Sequence, residues 1–142
     1  MYQSKRKKIV SKIVTLGMVV MLFASIGMMG ASAALTDDFS FSFNGGGLRY
    51  TDVLYKNSSS SMYMYCADQS QNYTYRAWAQ GGPSTSNMVN CDGGVWQYTF
   101  SKGTSYNIKN LVRENGYRYA RIAAQPANSS AYYANGNWKP DI

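Results

Sequence analysis

The side chains able to do chemistry in this chain are few, and what is missing decides as much as what is present. Asp37, Asp38, Asp52, Asp68, Asp92, Glu114 and Asp141 are its seven carboxylates, and it has no histidine. Without histidine, neither a Ser-His-Asp nor a Cys-His nucleophile can be assembled. Paired carboxylates can cleave a glycosidic bond, but Asp68 and Asp92 are read in turns, where an aspartate caps backbone groups. Catalysis is therefore not expected, and a glycan-acting enzyme is the last of the readings. Cys66 and Cys91 are the only cysteines. A zinc site would need further ligands at suitable spacing, and none is offered. The pair is expected to form a disulfide worth about 3 kcal/mol through loop closure. No metal and no cofactor is implied.

Binding chemistry is better supplied. The chain holds 13 Tyr, 3 Trp and 5 Phe. Tyr63 and Tyr65 are expected to project together from one strand. Tyr117 and Tyr119 should project from another, with Arg118 and Arg121 beside them. Aromatic faces stack on sugar rings or settle at membrane interfaces, and guanidinium groups attract phosphate-bearing polymers. These six residues form the candidate binding surface, and the expected partner is an envelope polymer or a membrane surface.

The positioning elements begin after an export signal. Lys5, Arg6, Lys7, Lys8 and Lys12 lead into an apolar run from Ile13 to Gly30. Ala31-Ser32-Ala33 follows, with cleavage expected after Ala33 or Ala34. A basic end, an apolar middle and an A-x-A exit make the secretory pattern, read by the secretion machinery and signal peptidase. The expected location is extracellular; an uncleaved membrane anchor is the alternative. This division also settles the charge. The formal net charge is +7, but five of the 14 Lys and Arg precede residue 34, whereas all seven acids follow it. The remainder is close to neutral, and nucleic-acid binding loses the basic surface it requires.

Residues 34–142 read as one domain, rich in aromatics and poor in Leu and Ile, a balance that favours strands. Phe39, Phe41 and Phe43 alternate with Ser40 and Ser42, giving a period-two apolar face. A second strand is expected over Leu48–Tyr55. In the third, Met62, Met64 and Cys66 alternate with Tyr63 and Tyr65, which places the cysteine inward. Asn72–Ala79 is read as a strand, Gln80–Asn87 as a loop, and Trp96, Tyr98 and Phe100 as one strand face. Asn115-Gly116 predicts a tight hairpin between Tyr106–Glu114 and Tyr117–Ala124. A last short strand over Ala131–Trp138 is interrupted at Asn135-Gly136. The expected fold is all-β: a single antiparallel β-sandwich of seven or eight short strands, preceded by the hydrophobic signal helix. A compact barrel is the second choice.

The two ends carry a resemblance. Asp38-Phe39-Ser40-Phe41-Ser42-Phe43 at the start, and Gly136, Trp138, Pro140 and Asp141 in a closing G-x-W-x-P-D, resemble an uncharacterised family of small secreted proteins from Gram-positive bacteria. The cysteine pair is not part of that pattern. The resemblance implies an extracellular, mostly β protein without an assigned activity. Trp138 is expected to act as a structural plug, with Pro140 ending its strand. The resulting reading is a secreted, non-enzymatic protein that binds at a bacterial cell envelope, in one version bacteriocin-like. The alternative is a carbohydrate- or wall-polymer-binding module of the producer.

Overall fold

The computed structural model describes residues 35–142, and Ala34–Ile142 form one compact unit. The expected signal segment, the helix expected of it and the expected cleavage residues Ala31, Ala33 and Ala34 lie outside the described residues. The described chain is all-β, with ten strands in two antiparallel sheets. In chain order they are β1 (Asp37–Phe43), β2 (Arg49–Tyr50), β3 (Leu54–Tyr55), β4 (Met62–Gln69) and β5 (Tyr75–Gly82), then β6 (Val89–Asn90), β7 (Tyr98–Phe100), β8 (Ser105–Ile108), β9 (Tyr119–Pro126) and β10 (Tyr132–Lys139). The first sheet runs β1-β10-β4-β8. The second runs β2-β9-β5-β6, with β3 also on β9 and β7 also on β5.

The period-two pattern does what it predicts. Phe39, Phe41 and Phe43 of β1 point inward, as do Met62, Met64 and Cys66 of β4, and all are buried. The facing sheet offers small residues: Ala77 and Ala79 from β5, and Ala120 and Ala124 around Ile122 from β9. Large side chains on one sheet thus fill the space that alanines leave on the other, which is how two twisted sheets reach native packing density. Tyr75 stacks on Phe100 at 5.4 Å and meets Phe41 edge-on at 6.0 Å. Trp138 is fully buried within this cluster, the structural plug expected of it. Its indole N–H has no hydrogen-bond partner, so packing alone holds it.

The strand count exceeds seven or eight because long runs break into short pieces. Leu48–Tyr55 divides into β2 and β3, since Thr51 replaces a ladder partner with its side chain. Its N–H donates to Ile122 O at 3.0 Å, and Ile122 N–H donates to Thr51 Oγ1 at 2.9 Å. Gln80, Gly81 and Gly82, expected in a loop, complete β5 and pair with β9. Of the Trp96, Tyr98 and Phe100 face, only Tyr98 and Phe100 belong to a strand. Trp96 N–H instead donates to Asp92 O in the preceding turn.

The expected Asn-Gly hairpin is also corrected. Residue Ile108 pairs with Met62 in the first sheet, whereas Tyr119 pairs with Gly82 in the second. The connection must therefore cross between sheets rather than fold back within one. It does so through one helical turn in which Asn115 N–H donates to Leu111 O. The turn closes with Tyr117 N–H on Val112 O and Gly116 N–H on Arg113 O. Gly116 adopts φ +78°. That is the Schellman arrangement, which needs glycine as much as a hairpin does.

Cys66 and Cys91 do not form the expected disulfide; both are free, buried thiols. They lie in different surroundings. Cys66 Sγ sits 3.7 Å from Asp68 O beside Tyr75, whereas Cys91 Sγ contacts Val89 O at 3.6 Å and Asn115 Nδ2 at 3.7 Å. Burial pushes both thiols up from their ordinary pKa, so neither is poised as a nucleophile. A reductant is expected to leave the melting temperature unchanged, and both cysteines should react with a thiol reagent only after unfolding. A drop in melting temperature under reduction would restore the bridge.

Candidate binding face

Alternation along β9 sends Ala120, Ile122 and Ala124 inward, and so Tyr119, Arg121 and Gln125 outward. On β5 it sends Tyr75, Ala77 and Ala79 inward, and Arg76, Trp78 and Gln80 outward. The register sets Gln80 opposite Arg121 and Trp78 opposite Ala123. On the far side of β9, Tyr50 pairs with Ala123 and Tyr55 with Tyr119. On the far side of β5, Asn90 pairs with Gln80. Side chains from five strands therefore meet on one outer sheet face.

They are tied into a network. Asn90 Oδ1 accepts from Trp78 Nε1 and Gln80 Nε2, each at 2.9 Å. Gln80 Oε1 accepts from Arg121 Nε at 2.8 Å. The Arg121 guanidinium lies 3.8 Å from the centre of the Tyr50 ring, a cation–π contact. Arg118 Nη1 donates to Tyr55 Oη at 2.6 Å, and Tyr55 meets Tyr119 edge-on at 6.0 Å. Trp78 and Gln80 are buried, while Tyr50 and Tyr55 are 42% and 37% exposed. A satisfied polar layer thus holds Arg121 in one geometry under the accessible Tyr50 ring, with Tyr55 held beside it by Arg118. Among the described residues its two terminal Nη groups make no hydrogen bond, which leaves four N–H donors directed by a fixed planar group.

The electrostatics of this sheet are one-sided. No strand of it contains Asp or Glu, whereas Arg76 and Arg121 stand outward on β5 and β9; Arg49 of β2, opposite the inward Ala124, turns instead to Ser42 O of the other sheet. The face therefore suits an acceptor-rich, negatively charged ligand with planar or apolar ring faces. A shallow depression of about 380 Å³, lined by Gln69, Ser70, Gln71, Asn72 and Lys102, lies elsewhere. No aromatic ring lines it, so it lacks a stacking surface.

The six residues proposed from sequence do not form one surface. Tyr119 and Arg121 stand on the outer face of the second sheet, with Arg118 just before β9. Tyr117 packs against the core. Tyr63 and Tyr65 occupy the outer face of the first sheet, on β4, where they pair with Lys139 and Asn137. The sandwich puts its own thickness between the two groups. Tyr50, Tyr55, Trp78, Gln80 and Asn90 were not among the candidates. Arg76-Ala77-Trp78-Ala79-Gln80 carries the alternation that could have flagged Trp78 and Gln80, but only sheet pairing brings them to Arg121.

Three of the seven carboxylates are engaged in turns and ion pairs. Asp92 Oδ1 accepts from Gly94 N–H in a turn, and Asp68 pairs with Lys102 at 2.6 Å. Asp141 pairs with the fully buried Lys56 at 3.1 Å and accepts from the Asn57 and Ser58 amides. Among the described residues no three of His, Cys, Asp and Glu gather as a metal-ligating group.

No curated protein matches the chain. Two solved structures show partial likeness. The crystal structure of the Yersinia pseudotuberculosis-derived mitogen gives a TM-score of 0.47 at 9% identity, over 75% of this chain and 86% of that one. That of PirA gives 0.45 at 8% identity, over 78% and 97%. The profile described as "Protein of unknown function (DUF2712)" matches residues 29–142, which span both the alternating Phe/Ser strand and the closing Gly136-to-Asp141 signature, and the chain belongs to that family.

Proposed function

We propose that this is a secreted, non-enzymatic binding protein that engages an anionic, sugar-containing polymer of a bacterial envelope through the outer face of its second sheet. The observation that carries the reading is the Arg121 network: a guanidinium fixed by Gln80 and Tyr50, with free donors, on strands without a carboxylate. Charge-assisted hydrogen bonds from such a group suit phosphate or carboxylate, and Tyr50 and Tyr55 offer ring faces for sugars. The binding role is supported further by the engagement of Asp68, Asp92 and Asp141 in turns and ion pairs rather than in an open carboxylate pair.

Co-sedimentation with purified wall material tests the proposal, with a polyol-phosphate polymer and a neutral glucan compared side by side. The anionic polymer should be retained and released by salt, because exposed charge pairs are screened. Arg121→Ala is expected to weaken retention about tenfold, the loss of roughly one charged hydrogen bond. Tyr65→Ala, on the opposite face, should leave it unchanged. Equal loss from both variants, or absence of retention at low salt, would sink the reading. Antagonism toward a neighbouring cell is one use of such binding. Protein spotted on bacterial lawns should then clear them, and confluent growth at every dose counts against that use.

A further inference from the structure

The first sheet ends in a long, accessible edge, and its backbone shows which groups it leaves open. β1 has β10 as its only sheet neighbour among the described residues. Tyr133, opposite Ser42, turns its N–H to Ser70 Oγ at 3.0 Å and its C=O to Ser70 N–H at 3.1 Å, away from β1. The Ser42–Tyr133 pair is therefore not hydrogen-bonded across the β1–β10 ladder, and the Ser42 backbone groups point to the free edge. By alternation so do those of Ser40 and Asp38. Two side-chain contacts agree: the Arg49 guanidinium donates to Ser42 O, and the Asp37 carboxylate accepts from Asp38 N–H at 3.0 Å. Both are local caps on groups that a ladder would otherwise satisfy.

The edge from Phe39 to Phe43 holds no charge, proline or bulge, the devices that ordinarily blunt such a strand. Its register with β10 is unbroken from Asp37 to Phe43. Ser40 lies at the centre, with acidic residues at one end and Arg49 at the other. That arrangement is self-complementary under a two-fold axis through Ser40. Antiparallel pairing of two copies sets Ser40 against Ser40 of the second copy, and Asp38 against Ser42. The Asp38 N–H then meets the other copy's Ser42 O. The two displaced caps, the Asp37 carboxylate and the Arg49 guanidinium, are left facing each other across the junction. Each capped group exchanges one partner for another, and two ion pairs form.

We infer that β1 is a homodimerisation edge, through which two copies of this chain join their four-stranded sheets into one continuous eight-stranded sheet. This is a C2 interface, with the same strand used by both partners. It uses the edge of the first sheet with Arg49 reaching over from β2, and none of Arg121, Tyr50 or Tyr55, so the two proposals stand or fall separately.

Sedimentation velocity of the full chain, across a concentration series reaching the millimolar range, should show a reversible monomer–dimer equilibrium. Ser40→Pro removes the central edge donor without touching the β10 ladder, and proline is tolerated on an edge. It should weaken dimerisation at least tenfold while circular dichroism stays unchanged. Arg49→Asp should weaken it about fivefold through two lost ion pairs. The charge-swapped double variant Asp37→Arg/Arg49→Asp should recover most of that loss, a rescue that a merely structural role would not produce. Monomer at every concentration overturns the inference. So does a dimer unaffected by Ser40→Pro, or a double variant weaker than either single change.

Discussion

Gly136→Ala is expected to cost about 4 kcal/mol or more, at the severe end of single substitutions. The register of β10 on β4 shifts between Asn135 and Gly136, so two residues of β4 are spanned by one step of β10. This irregularity brings the strands so close that a methyl group on residue 136 would stand 1.9 Å from Tyr65 O and 2.9 Å from Ala67 N. Both obstacles are backbone atoms, so no rotamer change relieves them. The strands must part, and they are the central pair of their sheet. A typical domain is stable by only about 5–15 kcal/mol, so the variant should show a much lower urea midpoint or accumulate as insoluble protein. Gly45→Ala is the control. It has open space around the added carbon but φ +84°, and left-handed backbone alone costs about 1–2 kcal/mol. Comparable losses at the two positions would show that conformation, not collision, sets the requirement at Gly136.

Asp141→Asn is the second large effect, expected at about 3–5 kcal/mol, because it leaves a buried ammonium without its counter-charge. Lys56 Nζ is fully buried and donates to Ser60 O, Pro140 O and Asp141 Oδ1. The two partners do not contribute alike. For Lys56, burial outweighs the attraction of Asp141 and lowers the pKa, so holding its charge opposes folding. For Asp141, burial alone would raise the pKa, but donors from Ser58, Asn57 and Lys56 overcome it and bring the carboxyl down to about 2. Lys56→Met should therefore be nearly neutral or stabilising, since it removes the costly charge while Asp141 keeps its Ser58 and Asn57 donors. The asymmetry between the two variants in urea unfolding is the check; equal losses would contradict it.

The same carboxylate sets an acid limb. Its folded pKa of about 2 lies below the ordinary aspartate value of 3.8, so the unfolded chain binds its proton first as pH falls. The resulting stability, about 2 kcal/mol, is complete above pH 4 or so and lost as pH falls through 2. Asp141→Asn should flatten that limb. At high pH the lysine acts in the other direction, because its unfolded form holds the proton longer and stability rises as the buried form discharges.

Much of the fold was legible because inward and outward positions differ in chemistry along a single strand. Phe39, Phe41 and Phe43, and Met62, Met64 and Cys66, display their buried faces through alternation alone. Where local chemistry admits two outcomes, the reading failed. Asn115-Gly116 serves a hairpin or a helical closure equally well, since both require a positive φ. Gly81-Gly82 marks a loop as readily as a strand crowded by its neighbours; an added carbon at Gly82 would meet Asn87 O at 1.8 Å. Two cysteines behind an expected export signal suggest a bridge, yet each is satisfied as a small core residue.

The candidate site divides along the same line. The residue types were visible: tyrosines beside Arg118 and Arg121, and a closing G-x-W-x-P-D. That closing signature proves to be a lock, with Gly136 at a close approach, Trp138 in the core and Asp141 on Lys56. What the sequence determined by itself was the alternating strand faces, the positions that need a positive φ, the lack of histidine and the distribution of charge. Only the tertiary structure decided which strands adjoin, and so placed Arg121 against Gln80 and Tyr50, and Tyr63 and Tyr65 on the far side. The reason is physical. Alternation assigns a side chain to a face, but it carries no information about which distant strand will share that face.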